Sequence, residues 1–219
     1  MPWSPLDEDD EFPTLGYDVA DWMTDFLLQP DCDDLLPFVP TQEELDFLVR
    51  LYELDPLTCR RVKSRAVISR PRGWGKSPFL AAICCVEAMG PVLCDGWDAA
   101  GQPVGVPWAT RRTPLVQVTA TTDDQTANTW APLLEMLRGS PAQDEYDVDP
   151  LDSFVTMRRG RIEKRTSSAT SVRNPRPTIA ATSSAREHAR ASSLRRATSR
   201  AASTASVPLR AALRSRARA

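Results

Sequence analysis

The residues of this chain best suited to chemistry are a lysine followed by a hydroxyl, with two glycines just upstream: Ser69-Arg70-Pro71-Arg72-Gly73-Trp74-Gly75-Lys76-Ser77. The Lys76 ammonium suits the β and γ oxygens of a nucleotide, and the Ser77 hydroxyl suits Mg2+. Glycines let backbone N–H groups approach a phosphate where a helix begins. One position departs from the Gly-x-x-x-x-Gly-Lys-Ser/Thr spacing: Arg70 stands where the first glycine belongs. The competing reading of Lys76-Ser77 is a surface turn, and the apolar runs on either side argue against it.

Those runs predict the elements that must hold the loop. Ala66-Val67-Ile68 places a strand over residues 65–69, and the apolar stretch after Lys76 predicts a helix over 76–89, with Pro78 tolerated in its first turn and Gly90-Pro91 ending it. Upstream, residues 1–14 read as a disordered acidic leader. Val19, Trp22, Met23 and Phe26 share one face of a predicted helix over 15–28. Residues 31–40 read as loop. Thr41-x-x-Glu44 is a capping box opening a second helix, with Leu45, Leu48, Val49 and Tyr52 at helical spacing and Asp55-Pro56 as its stop. Downstream, residues 91–94 predict a short strand, 95–114 an irregular excursion and 115–119 a strand. Asp123 and Asp124 then open a helix through residue 138, with Thr122 as its cap. Residues 139–152 read as loop, and 153–157 with 161–165 as a hairpin around Arg159-Gly160. Strand-to-helix alternation of this kind predicts an α/β domain with a parallel sheet and crossover helices.

Charge divides the chain. Residues 1–165 carry 16 Lys and Arg against 28 Asp and Glu, whereas residues 166–219 carry 11 Arg against Glu187 alone. From about residue 166 the composition is mostly Ala, Arg, Ser and Thr, without aromatics or Gly, and it predicts a disordered tail. The only histidine, His188, lies in that tail, so Ser-His-Asp, Cys-His and His-metal sites are excluded for the folded body. Five cysteines without C-x-x-C spacing fit a reducing cytosol, and Cys84-Cys85 reads as a buried apolar pair. No apolar run approaches bilayer length and the N-terminus is acidic, so a soluble, intracellular protein without a signal peptide is expected.

Residues 70–78 (Arg-Pro-Arg-Gly-Trp-Gly-Lys-Ser-Pro) resemble the variant Walker A loop of tailed-phage terminase large subunits, above all those of actinobacterial phages. The likeness continues in Asp95-Gly96-Trp97-Asp98, Gly101-Gln102-Pro103-Val104-Gly105 and Pro107-Trp108-Ala109-Thr110. It runs on through Gln117-Val118-Thr119-Ala120 to Asp124-Gln125-Thr126, and through Arg159-Gly160-Arg161-Ile162-Glu163 with the Thr166-Ser167-Ser168-Ala169-Thr170-Ser171 stretch. It spans roughly residues 12–172. The resemblance implies an ASCE-type P-loop NTPase: a parallel sheet with flanking helices, here incomplete, with ATP and Mg2+ as cofactors. It also implies the partners of a DNA-packaging motor, namely double-stranded phage DNA, a portal protein and a small terminase subunit, in the host cytoplasm, with an oligomeric ring in an intact homologue.

By the same resemblance Lys76 would hold the β and γ phosphates and Ser77 the Mg2+. Gly73, Trp74 and Gly75 would line the nucleotide, and Arg72 would act in cis on the transferring phosphate as arginine fingers do. Gln42, by position on the capped helix, is a candidate adenine reader. The alternatives are a solvated charge for Arg72 and a polar first-turn residue for Gln42.

The resemblance also marks what is missing. After the Thr-Ser-Ser-Ala-Thr-Ser stretch such ATPases carry an apolar strand ending in Asp-Glu, the Asp for Mg2+ and the Glu for the attacking water. Here residues 176–182 lead only into Ser183-Ser184-Ala185-Arg186. The division expected is therefore an acidic leader and first helix over 1–40, a partial ATPase domain over 41–172, and an out-of-frame, frameshifted tail over 173–219. The function expected is ATP binding without hydrolysis by this chain alone. One alternative is a non-catalytic nucleic-acid-binding protein working through the arginine tail. Another is a different P-loop NTPase taking its acid from Asp123 or Asp124.

Overall fold

The computed structural model describes residues 3–5, 11–32 and 34–166, and the arginine-rich stretch from 167 onward lies outside the described residues. Helix α1 (Gly16–Phe26) opens the fold, burying Val19, Trp22 and Met23 as the periodicity requires. Helix α2 (Gln42–Leu51) starts on the predicted box: the Thr41 hydroxyl accepts from the Glu44 amide, and the Glu44 carboxylate accepts from the Thr41 amide at 2.8 Å. The two helices approach so closely that a Cβ on Gly16 would collide with the Val49 main chain. Helix α3 (Lys76–Met89) is buried at every residue from Phe79 to Met89. Such an all-round apolar helix belongs in the middle of a core.

Strands β1 (Leu93–Trp97) and β2 (Pro103–Val106) form an antiparallel pair, followed by a 3-10 turn over Trp108–Thr110. Strand β3 (Leu115–Ala120) leads into α4 (Asp123–Leu137), whose cap is Thr122 as expected. After a short helix α5 (Pro141–Glu145) come β4 (Asp149–Pro150), β5 (Phe154–Thr156) and β6 (Arg161–Thr166). The sheet order is β3-β6-β5-β4. Helices α3 and α4 pack on each other and both against β3 and β6. One core cluster runs from Leu15 through α3 and α4 to Val155 and Ile162.

Several expectations change. Residues 65–69 form no strand: no described segment pairs with them, and Val67 is 81% exposed. A β-branched run becomes a strand only when a neighbour accepts its hydrogen bonds, and local propensity cannot supply the neighbour. The sheet is mixed, with β3 and β6 parallel and the β4-β5-β6 meander antiparallel. The irregular stretch 95–114 contains β2 and the 3-10 turn, the predicted 91–94 strand shifts to β1, and the loop 139–152 contains α5 and β4. The acidic leader is tethered in part, because Thr14 is buried, donates its hydroxyl to Val49 O at 2.7 Å and bridges to Glu53, while the Ser4 amide donates to Gly101 O. Cys59 and Cys94, which no sequence spacing links, are brought together with their Cα atoms 5.8 Å apart. Cys84 and Cys85 are buried as expected, and burial pushes the Cys84 thiol up to about 12.

Two buried carboxylates tie the elements together. Glu87, near the end of α3, accepts from the Tyr52 hydroxyl at 2.9 Å and pairs with Arg61, whose guanidinium lies 4.1 Å above the Tyr52 ring. Glu163 on β6 accepts from Gln117 on β3 at 2.7 Å and from Arg161 and Arg165. Burial pushes the Glu163 carboxyl up, but the hydrogen bonds from Gln117 and Arg165 and the charges of Arg165 and Arg161 outweigh it and hold it below its ordinary value of 4.5. A carboxyl depressed in the native state stabilises fully above its unfolded pKa and loses that contribution as pH falls through the native value. Glu163→Gln is therefore expected to cost about 1 kcal/mol near neutral pH and to flatten the acid limb of the stability curve. Urea midpoints measured from about pH 7 down to about pH 3 check this, and parallel curves for parent and variant would refute it.

Candidate functional site

The loop over residues 70–75 sits between α2 and the start of α3, and each end of it is held. Gly73 (φ 86°) and Gly75 (φ 95°) occupy the left-handed region. No heavy atom lies within 4 Å of a Cβ built on either, so the glycine requirement at these positions comes from the backbone angle and not from crowding. Gly75→Ala is accordingly expected to cost about 1–2 kcal/mol. A thermal melt checks the loss, and an unchanged melting temperature would contradict it.

Gly75 is also the N-cap residue of α3, which has no side-chain cap, in contrast to the threonine caps of α2 and α4. Pro78 brings no N–H to the first turn. The amides of Lys76 and Ser77 therefore open the helix at its positive end. Lys76 folds back along the loop and donates to the carbonyls of Arg70 (2.8 Å) and Pro71 (2.7 Å). Arg72 and Gly73 are exposed, and Arg72 forms no ion pair among the described residues.

Below the loop lies an aromatic floor. Trp74 meets Phe79 edge-on, centroids 6.0 Å apart, and Phe79 meets Phe47 of α2 at 5.6 Å. The Trp74 indole N–H donates to the Glu43 carboxylate at 2.7 Å, and the Arg70 guanidinium pairs with the same carboxylate at 2.7 Å. Arg70 also lies over the Trp74 ring, 5.6 Å from its centroid. Gln42, one residue before Glu43, reaches the same corner through its helix, but its amide donates to Asp46 at 2.8 Å.

The structure thus gathers Arg72, Gly73, Trp74, Gly75, Lys76 and Ser77 at one helix start and brings the first turn of α2 against them. Glu43 is the residue that sequence reasoning missed. The available signal was indirect: Arg70 and Trp74 are both donors in a loop that contains no carboxylate.

The C-terminal end of β3 packs beside α3. A cleft there is lined by Leu80 and Cys84 of α3, Thr119 and Ala120 of β3, and Gln125, Thr126 and Thr129 of α4. Ligand sites of α/β sheets form outside the carboxyl ends of strands, where helices begin. Asp123 and Asp124 are exposed in the first turn of α4. Among the described residues no strand beside the loop ends in Asp-Glu.

The fold is similar to that in the crystal structure of the HK97 bacteriophage large terminase. The TM-score is 0.55 at 16% sequence identity, and the match covers 76% of this chain and 30% of that one. In sequence the chain is similar to the Gene 13 proteins of Mycobacterium phages L5 and D29, 33% identical to each over 187 residues. It spans 30% of the length of each of those relatives. No family model matches the chain. The structure thus has a terminase-like mixed α/β fold, and no helix among the described residues is long and apolar enough to cross a membrane.

Proposed function

We propose that this chain forms the nucleotide-binding part of a phage DNA-packaging ATPase. The observation that carries this reading is the start of α3. Two left-handed glycines lead into a helix that has no side-chain cap and whose first two residues are a lysine and a serine. That end of the helix offers amides without a side-chain cap, a positive dipole and an ammonium together, which is the donor set a nucleotide phosphate requires. The likeness to the HK97 large terminase supports the choice of motor, and the relatives among mycobacteriophages support a phage setting.

In this reading the Lys76 ammonium leaves the Arg70 and Pro71 carbonyls for phosphate oxygens, and Ser77 supplies a hydroxyl for Mg2+. Mg2+ would screen charge between phosphate groups. Arg72 is free to turn toward a γ-phosphate, and Gln42 stands on the adjoining helix start. Binding without turnover is expected of this chain alone, since the loop faces no Asp-Glu strand end among the described residues. Duplex DNA, a portal and a small terminase subunit are proposed as partners in the longer assembly, within the bacterial host.

Calorimetric titration with ATP in the presence of Mg2+ tests the reading. Saturable binding without phosphate release is expected, and the absence of saturable binding refutes it. Phosphate release abolished by Asp124→Ala would instead favour a P-loop NTPase working through the first turn of α4.

A further inference from the structure

We propose that Glu43 is a positioning residue of the phosphate loop, a brace from α2 that lets Arg70 stand where the motif has glycine. The inference rests on the phosphate-loop reading above and extends it. Arg70 and Trp74 bracket the turn, and the two oxygens of a single carboxylate serve them separately. Oε1 pairs with the Arg70 guanidinium and Oε2 accepts from the Trp74 indole, each at 2.7 Å. The Arg70 carbonyl in turn accepts from Lys76 at 2.8 Å. The brace is thus two contacts from the ammonium: Glu43 fixes Arg70, and Arg70 carries one of the two oxygens on which Lys76 rests.

This geometry explains the departure at position 70. Arg70 lies outside the left-handed region, so the loop does not use a glycine's conformational freedom there. Its path is set by side chains, through a guanidinium over the Trp74 ring and a carboxylate that both groups contact. Glu43 itself is presented by a helix start that is locked, because the capping box of Thr41 and Glu44 flanks it on either side. Neutralising Arg70 has a further consequence. The uncommitted guanidinium beside Lys76 is then Arg72, which makes no ion pair among the described residues.

Titration of a fluorescent ATP analogue with Mg2+ tests the brace. The parent is compared with Glu43→Gln, Glu43→Ala, Arg70→Gln and the Glu43→Gln/Arg70→Gln double variant, with Lys76→Ala as the control for the site. The carboxylate is half exposed, so a weakening of about three- to tenfold is expected in Glu43→Ala, with the nucleotide-free melting temperature close to that of the parent. The double variant is expected to bind no more weakly than the worse single variant, because both replacements remove the same ion pair while the amide at position 43 still accepts from Trp74. Acrylamide quenching, assigned to Trp74 by difference with Trp74→Phe, is expected to rise in Glu43→Ala without nucleotide. Unchanged affinity in Glu43→Ala, or additive losses in the double variant, with binding still lost in Lys76→Ala, overturns the brace and leaves the phosphate-loop reading standing. A parent that binds no nucleotide overturns that reading and the brace with it.

Discussion

Lys76→Ala is expected to abolish the rise in melting temperature that Mg2+ and ATP give the parent. A ligand that binds only the folded state stabilises it by about 2.7 kcal/mol at a concentration of 100 Kd. For a domain of this size that corresponds to a shift of about 5–10 °C. Lys76 is the first residue of α3, and its replacement removes the ammonium from the helix start. Its loss costs the fold little. The side chain makes two hydrogen bonds to loop carbonyls that are themselves exposed, and water replaces them. The variant is thus expected to melt within about 2 °C of the parent when no nucleotide is present. Differential scanning fluorimetry with and without nucleotide decides the matter. A ligand-induced shift retained in Lys76→Ala would mean that nucleotide binds elsewhere or not through this loop.

Phe79→Ala is expected to cause the largest loss of stability, about 3–4 kcal/mol. Phe79 is fully buried and lies at the crossing of three elements: its own helix α3, Phe47 of α2 and Trp74 of the loop. Truncation leaves a cavity beneath both edge-on contacts, and each such contact contributes about 0.5–1.5 kcal/mol beyond its buried area. The consequence reaches the site as well, because Trp74 loses its floor while keeping its tie to Glu43. Urea unfolding measures the first effect and nucleotide titration the second. A stability loss below about 1 kcal/mol would show that the site collapses around the smaller side chain.

Helices α1 to α4 were legible because their signals are local, whereas the short α5 fell in a stretch read as loop. The capping box at Thr41, the Thr122 cap with two acids behind it, and the glycine end of α3 each lie within a few residues of what they control. The β5–β6 hairpin was legible for the same reason. The absence of a strand over 65–69 was not, since the run has a strand's pattern and no described segment pairs with it. The meeting of Cys59 and Cys94 spans 35 residues, and neither cysteine lies in a spacing that announces a mate. The parallel pairing of β3 with β6 sets Gln117 against Glu163 across 46 residues, a register that neither strand specifies alone. The tail over 173–219, with its frameshift reading, lies outside the described residues.

The candidate site divides along the same line. By itself the sequence determined the loop, the lysine and serine behind it, the glycines whose backbone angles no other residue adopts cheaply, and the helix that follows. Each of these is a matter of bonded geometry or of contacts within one helical turn. Only the tertiary structure decided that α2 delivers a carboxylate to Arg70 and Trp74, that Phe79 supports the indole, and that the end of β3 opens a cleft beside α3. Those contacts cross about 30 residues or more of chain between Glu43 and Trp74 and between Phe47 and Phe79. They exist because buried apolar faces bring their helices together, and a chain read one residue at a time carries the faces but not the meeting.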